Sequence, residues 1–354
     1  MHCIHSIALI LTSWVATTTA LPSRAWPLKS FKTLVTFGDS YTDESRLNYF
    51  ASHNGSAPPV GWIDPINNDT ASGGYIWPRF VADYAGVNLY DYAVSGAVCS
   101  NLITPRTFST INAPFPSVLE YEVPAYIADS KYVTGSGQKF LNIPAQETVY
   151  SIWIGTNDLG VDAFLTDSHV ANKTIPDYIE CVYRAFDQIY ANGARYFVLM
   201  NIAPLQLTPL YATPAKEGVK DNQYWPEKPD NRTEISYRMW EQVVTVNNVY
   251  KYQTPFELLV ARRYPGAHFA VMDMYGLISD IYNNPTAYLN GSAPANVTGY
   301  INHCNTNGTD CTRMPNPDSY LWFDELHPSQ RTDQIIAQNF VEVAEGKSKW
   351  AIYW

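Results

Sequence analysis

Five times along this chain a short run rich in β-branched and aromatic residues gives way to a stretch that reads as helix. The apolar runs lie at 33–37, 87–94, 149–154, 195–202 and 268–274. The helical stretches lie at 76–85, 118–128, 176–192, 233–264 (broken near Pro255) and 330–344. A helix between two buried strands returns the chain parallel to the first of them. The alternation therefore predicts an α/β fold: a single doubly wound domain with a central five-stranded parallel sheet flanked by helices. The clearest helix, 176–192, repeats Ile179, Val182, Tyr183, Phe186, Ile189 and Tyr190 at helical spacing; Pro176 opens it and Gly193 closes it. With 354 residues, 46% of them hydrophobic, the chain can bury one such core, and no repeat or break in composition divides it.

An open α/β sheet builds its site at the carboxyl edge of its strands. The first strand stops at Gly38-Asp39-Ser40, which puts a hydroxyl on a sharp, rigid turn. Ser40 fits a nucleophile there; it fits a helix N-cap as well. The second strand ends at Ser95-Gly96-Ala97, where Gly96 offers an unobstructed N–H or simply a turn. The third runs into Gly155-Thr156-Asn157-Asp158, where the Asn157 amide can donate to an oxyanion or close an Asx turn. Before the last helix stands Trp322-Phe323-Asp324-Glu325-Leu326-His327-Pro328. Asp324 is near enough in one tight turn to fix the His327 tautomer, which frees the other ring nitrogen as a base. The plainer alternative is a surface Asp-His pair beside a helix N-cap.

Composition narrows the partners. The net charge is −10 and no basic run occurs, so nucleic acid, anionic membranes and polyanionic substrates are disfavoured. Residues 1–20 read as a secretory signal: an apolar stretch, then small residues at Thr18-Thr19-Ala20, although the start holds His2 and His5 rather than Lys or Arg. Residues 21–354 then form the mature domain, extracellular, monomeric and without stable membrane association. Sequons at Asn54, Asn68, Asn172, Asn231, Asn290, Asn296 and Asn307 agree with secretion. Of the 5 cysteines, Cys3 lies in the signal. Cys304 and Cys311 bracket a turn-rich loop suited to a local disulfide, while Cys99 and Cys181 form a second bridge or stay free and buried. No His/Cys cluster has metal-site spacing, so no metal is expected.

Three loops remain. Residues 44–74 read as a long loop at the site's mouth, and Trp62, Tyr75 and Trp77 in or just after it can stack on a sugar ring or pack as core. Residues 208–232 form a lid, a rim or an insertion. Residues 285–317 form a glycosylated, disulfide-clipped loop.

Ser40, Gly96, Asn157 and the Asp324/His327 pair occur in an order that resembles the SGNH (GDSL-like) hydrolase superfamily. The matching blocks are Phe37-Gly38-Asp39-Ser40-Tyr41, Tyr92-Ala93-Val94-Ser95-Gly96-Ala97, Ile154-Gly155-Thr156-Asn157-Asp158 and Asp324-Glu325-Leu326-His327-Pro328, and they span nearly the whole mature chain. Tyr41 stands where many members carry Leu. The resemblance implies an esterase domain with Ser40 as nucleophile, His327 as general base and Asp324 orienting it. It implies an oxyanion hole of the Ser40 and Gly96 N–H groups and the Asn157 amide, and no cofactor. Within the superfamily the chain is most similar to secreted fungal acetyl esterases acting on acetylated hemicellulose oligosaccharides. The alternative is a secreted lipase or phospholipase for longer acyl esters, which needs an exposed apolar surface. A silent glycan-binding protein is a third class, and the intact Ser/His/Asp set weighs against it.

Overall fold

The computed structural model describes residues 26–109 and 111–354, so the signal reading over 1–20, with Cys3, lies outside the described residues. The expected strands form at β1 (Thr33–Gly38), β2 (Asn88–Asp91), β3 (Thr148–Trp153), β4 (Tyr196–Met200) and β5 (His268–Met272). All five pair in parallel. A sixth strand, β6 (Ala351–Tyr353), adds to the edge antiparallel to β5. The sheet therefore has six strands, in the order β6-β5-β4-β3-β1-β2. β6 has only three residues, too few to show an alternating pattern.

The chain leaves β1 in one direction to reach β2 and in the other to reach β3. That reversal is the topological switch point where sheets of this kind leave a crevice. Both flanking strands are fully buried. Helix α2 (Trp77–Ala85) packs on α7 (Gln330–Ala344), with the Trp77 and Phe340 rings 4.8 Å apart. By the right-handed crossover rule the helices between β2 and β5 cover the other face. These are α3 (Val123–Lys131), α4 (Ile175–Ala191) and α5 (Arg232–Pro255). α5 ends at Pro255, where the sequence places a break, and a wider turn over Phe256–Val260 follows. None of the helices among the described residues is long and apolar enough to cross a membrane.

Two helices depart from the sequence reading. The 44–74 segment contains α1 (Arg46–Ser52). Its start is held by tertiary charge rather than by an apolar stripe. The Asp43 carboxylate accepts the Arg46 and Leu47 N–H groups at 2.7 and 3.2 Å, and Arg46 pairs with buried Asp64 at 3.0 Å. After β5 comes α6 (Met274–Asn283), capped by Asp273, which accepts the Gly276 N–H at 2.9 Å. Its buried Met274, Leu277, Ile278 and Ile281 carry the helical period, but Gly276 and the closing asparagines blur it.

Both disulfides form. Cys304–Cys311 clips its local loop, and Cys99–Cys181, across 82 residues, ties the segment after Gly96 to α4. Six sequon asparagines, Asn54, Asn68, Asn172, Asn231, Asn290 and Asn307, are exposed. Asn296 is half-buried, with its side-chain oxygen accepting the Thr298 and Gly299 N–H groups.

Candidate active site

The turn after β1 leaves no room for a side chain. Gly38 has φ +155°, and a Cβ there would lie 2.3 Å from the Trp153 carbonyl oxygen of β3. Its N–H donates to the Glu122 carboxyl at 3.0 Å, and burial holds that carboxyl well above the usual range. The Asp39 carbonyl accepts the Thr42 and Asp43 N–H groups, both at 2.9 Å. Asp39 is itself buried, and burial pushes its carboxyl up to about 6 against the opposing bond from the Tyr41 N–H. Ser40 thus sits on a cross-braced turn at the switch point.

The 324–327 turn meets it there. Asp324 Oδ1 accepts the Leu326 and His327 N–H groups, both at 2.8 Å, which closes the turn. His327 Nδ1 lies 2.9 Å from both Asp324 oxygens, and Nε2 lies 2.8 Å from Ser40 Oγ. With Nδ1 protonated toward Asp324, Nε2 can accept the Ser40 proton. Tyr41 donates its hydroxyl to the Leu326 carbonyl at 2.7 Å, so the residue after Ser40 holds the histidine turn directly.

Burial opposes both charges of this pair. For Asp324 the charge of His327, two bonds from that residue and a bond from Tyr224 outweigh burial, and its pKa falls below the usual range. For His327 burial is outweighed by the charge and hydrogen bond of Asp324, with smaller contributions from Asp39 and Glu325, so its pKa rises. A hydroxyl, an imidazole and a carboxylate in this sequence of bonds can generate an alkoxide-like nucleophile near neutral pH.

The other two strand ends arrive at the same edge. Asp43 Oδ2 accepts the Ser95 N–H at 2.7 Å, which fixes the Val94–Ser95 peptide, one residue ahead of the Gly96 N–H. Gly96 has φ +91°, and a Cβ there would press the Phe115 ring at 3.1 Å. Asn157 Nδ2 donates one hydrogen to the Ala97 carbonyl at 2.8 Å and keeps a second to give. The buried Asp158 carboxylate holds this wall together: it accepts the Cys99 N–H at 3.1 Å and the Thr104 hydroxyl at 2.7 Å.

The structure thus brings Ser40, Asp324 and His327 into direct contact and places Gly96 and Asn157 on loops at the same edge. It corrects the reading of Trp77 as a sugar platform. Trp77 is fully buried (0% exposed) at the start of α2, with its Nε1 donating to Thr42 Oγ1 at 3.3 Å, so it has no face for a substrate. Trp62 is half-buried on Arg46, 5.1 Å from the guanidinium, and meets Tyr49 edge-on.

The 208–232 segment is a fixed rim rather than a free lid. Leu210 N–H donates to the Glu325 carbonyl at 2.6 Å, and Lys228 Nζ donates to the Leu210 and Val219 carbonyls. From this rim Tyr224 donates its hydroxyl to Asp324 Oδ2 at 2.7 Å and stands 3.3 Å from His327 Nδ1. Tyr224 and Arg106 are the site residues the sequence does not announce. Tyr224 reaches Asp324 across 100 residues of chain, and Arg106 is a single cation in a Pro-bounded loop.

Known proteins are similar to this chain over most of its length. The model of the GDSL-like lipase/acylhydrolase family matches residues 34–340. An acetylesterase from Hypocrea jecorina is 44% identical over 348 residues, covering 98% of each chain. An acetylesterase from Thermothelomyces thermophilus is 25% identical over 351 residues, covering 96% of each. Among solved structures, a catalytic mutant of an acetylxylan esterase from Geobacillus stearothermophilus is 14% identical with a TM-score of 0.42, over 91% of this chain and 97% of that one.

Proposed function

The chain belongs to the GDSL-like lipase/acylhydrolase family, and from that premise we propose that it is a secreted serine esterase that removes acetyl groups from carbohydrate. The observation that carries the reading is the 2.8 Å contact of Ser40 Oγ with His327 Nε2, in a chain 44% identical to an acetylesterase. His327 takes the Ser40 proton as the hydroxyl attacks the acetyl carbonyl. The Ser40 and Gly96 N–H groups and the Asn157 amide receive the oxyanion. His327 then protonates the leaving sugar hydroxyl, and water, activated by the same base, releases acetate from the acyl-enzyme.

The acetyl half of the proposal rests on the acetylesterase relatives. The carbohydrate half rests on the resemblance to fungal esterases of acetylated hemicellulose and on the net charge of −10, which favours neutral glycans over polyanionic ones. The two disulfides and the exposed sequons support secretion. The lipase alternative lacks its surface on the 208–232 rim: Leu210 and Tyr211 are buried, and Tyr224 is bonded to Asp324.

Hydrolysis of 4-nitrophenyl acetate, butyrate and octanoate tests the acyl preference. A sharp fall after acetate is expected. Rates that hold or rise to octanoate would move the protein to the lipase class.

Two further results are expected. Asn157→Ala lowers kcat by roughly 10²–10³ with KM little changed, because that amide acts on the oxyanion more than on the bound ester. An unchanged kcat removes Asn157 from the oxyanion hole. The pH profile follows from the His327–Asp324 pair. Protonation of Nε2 abolishes the base, so activity is lost as pH falls through the His327 pKa. Because that pKa is raised, the acid limb of kcat/KM lies above the ordinary histidine value of about 6.5. Tyr224→Phe takes a donor from Asp324, strengthens its hold on the imidazolium and moves the limb higher still. A limb that stays put in Tyr224→Phe, measured across the same buffers, contradicts this coupling.

A further inference from the structure

The hairpin that follows Gly96 carries a charged side chain to the oxyanion donors. Arg106 Nη1 donates to the Gly96 carbonyl at 2.7 Å and to Asn157 Oδ1 at 2.8 Å. We propose that Arg106 is the positioning residue of the oxyanion hole, locking the Asn157 amide and the Gly96–Ala97 peptide to each other. The inference rests on the serine-esterase reading above.

A side-chain amide can present either its oxygen or its nitrogen, and the wrong choice would aim a lone pair at the developing oxyanion. Arg has donors only. It therefore accepts one orientation of Asn157: oxygen toward the guanidinium, nitrogen toward the reaction. The Ala97 carbonyl enforces the same choice from the other side by taking one Nδ2 hydrogen. The second hydrogen is left for the substrate oxygen. Both Arg106 acceptors are neutral carbonyl oxygens, and the charges that act on the guanidinium, Asp162 and Asp158 foremost, do so without taking its place on Asn157.

Arg106 is itself braced. Asn101 Oδ1 accepts the Arg106 N–H at 2.9 Å, and Asn101 Nδ2 donates to the Phe115 carbonyl at 2.7 Å. The Phe115 N–H donates to the Arg106 carbonyl at 2.9 Å. One asparagine thus staples the two ends of the hairpin, and the strand pair Thr107–Phe108 with Ala113–Pro114 continues it. The Phe115 ring centre lies 5.9 Å from the guanidinium. The same ring covers Gly96. Arg106 and Phe115 therefore close on Gly96 from the two stapled ends of one hairpin, as a donor held to fractions of an ångström requires.

The test is a set of variants assayed on 4-nitrophenyl acetate: Arg106→Ala, Arg106→Lys, Asn157→Ala, the double variant, and Ser40→Ala. Arg106→Ala is expected to lower kcat roughly 10- to 100-fold with KM within about threefold, less than loss of the donor itself. Arg106→Lys, which keeps the charge but can serve fewer acceptors, recovers part of the loss. In the Asn157→Ala background the same Arg106→Ala change costs less than about threefold, because the amide it orients is gone. If Arg106→Ala does not fold, Arg106→Met keeps the aliphatic stem against Phe115 and carries the same expectation. A kcat within about twofold of the parent, a loss confined to KM, or a full multiplicative loss in the Asn157→Ala background each overturns the proposal. Retained activity in Ser40→Ala instead overturns the serine-esterase reading on which it rests.

Discussion

Replacing Ser40 with alanine is expected to lower kcat for acetyl-ester hydrolysis roughly 10⁵- to 10⁶-fold while the protein still folds. The change removes one oxygen, whose bond is to His327 Nε2. The turn does not depend on that oxygen. It is held by Gly38 against Trp153, by the Asp39 carbonyl and by the Glu122 carboxyl beneath it. The thermal unfolding midpoint should therefore move little. The residual rate is what the oxyanion donors supply to an attacking water. Activity within about tenfold of the parent would place the nucleophile elsewhere.

Asp324→Asn is expected to cost about 10⁴ in kcat with the fold intact, and the reason lies in the hydrogen-bond pattern of the turn. Asp324 Oδ1 already receives the Leu326 and His327 N–H groups. An asparagine must keep its oxygen there, so its NH₂ takes the place of Oδ2, facing His327 Nδ1 and the Tyr224 hydroxyl. The amide then donates to Nδ1, the ring proton moves to Nε2, and the nitrogen beside Ser40 can no longer accept. Alanine at this position would instead leave two buried N–H groups unpaired and confound catalysis with stability. Kinetics on 4-nitrophenyl acetate, read beside a melting curve, separate the two. An Asp324→Asn enzyme within about tenfold of the parent would show that Asp324 does not set the tautomer.

Much of the site was legible because its residues fall at strand ends, and strand ends are where local sequence is most informative. The β-branched run of β1 and the glycine after it place Ser40 without any knowledge of the rest. Asp324 and His327 are close in sequence, so their contact needs only a tight turn. The final helix reads directly from its apolar period, and Gln330–Ala344 forms as the sequence implies.

What could not be read depends on distant parts of the chain. α1 exists because Asp43 caps it and Asp64 receives Arg46, neither of which leaves an amphipathic signature. Trp77 reads as a sugar platform or as core, and α7 decides for core by covering it with Phe340. Tyr224 and Arg106 take their roles from acceptors that the fold delivers to them from other loops. The sixth strand is three residues long and is defined by its neighbour β5.

The central claim, that an activated Ser40 performs the acetyl transfer, is tested most directly by titration with a diethyl phosphate triester that esterifies activated serines. Acetate release from acetylated xylo-oligosaccharides is followed in parallel, and the labelled peptides are mapped. The account predicts a single phosphoryl label, on Ser40, with acetate release lost in step with labelling and no label in Ser40→Ala or Asp324→Asn over the same time. Complete inactivation with the label on another residue, or undiminished acetate release from protein fully labelled at Ser40, would contradict it.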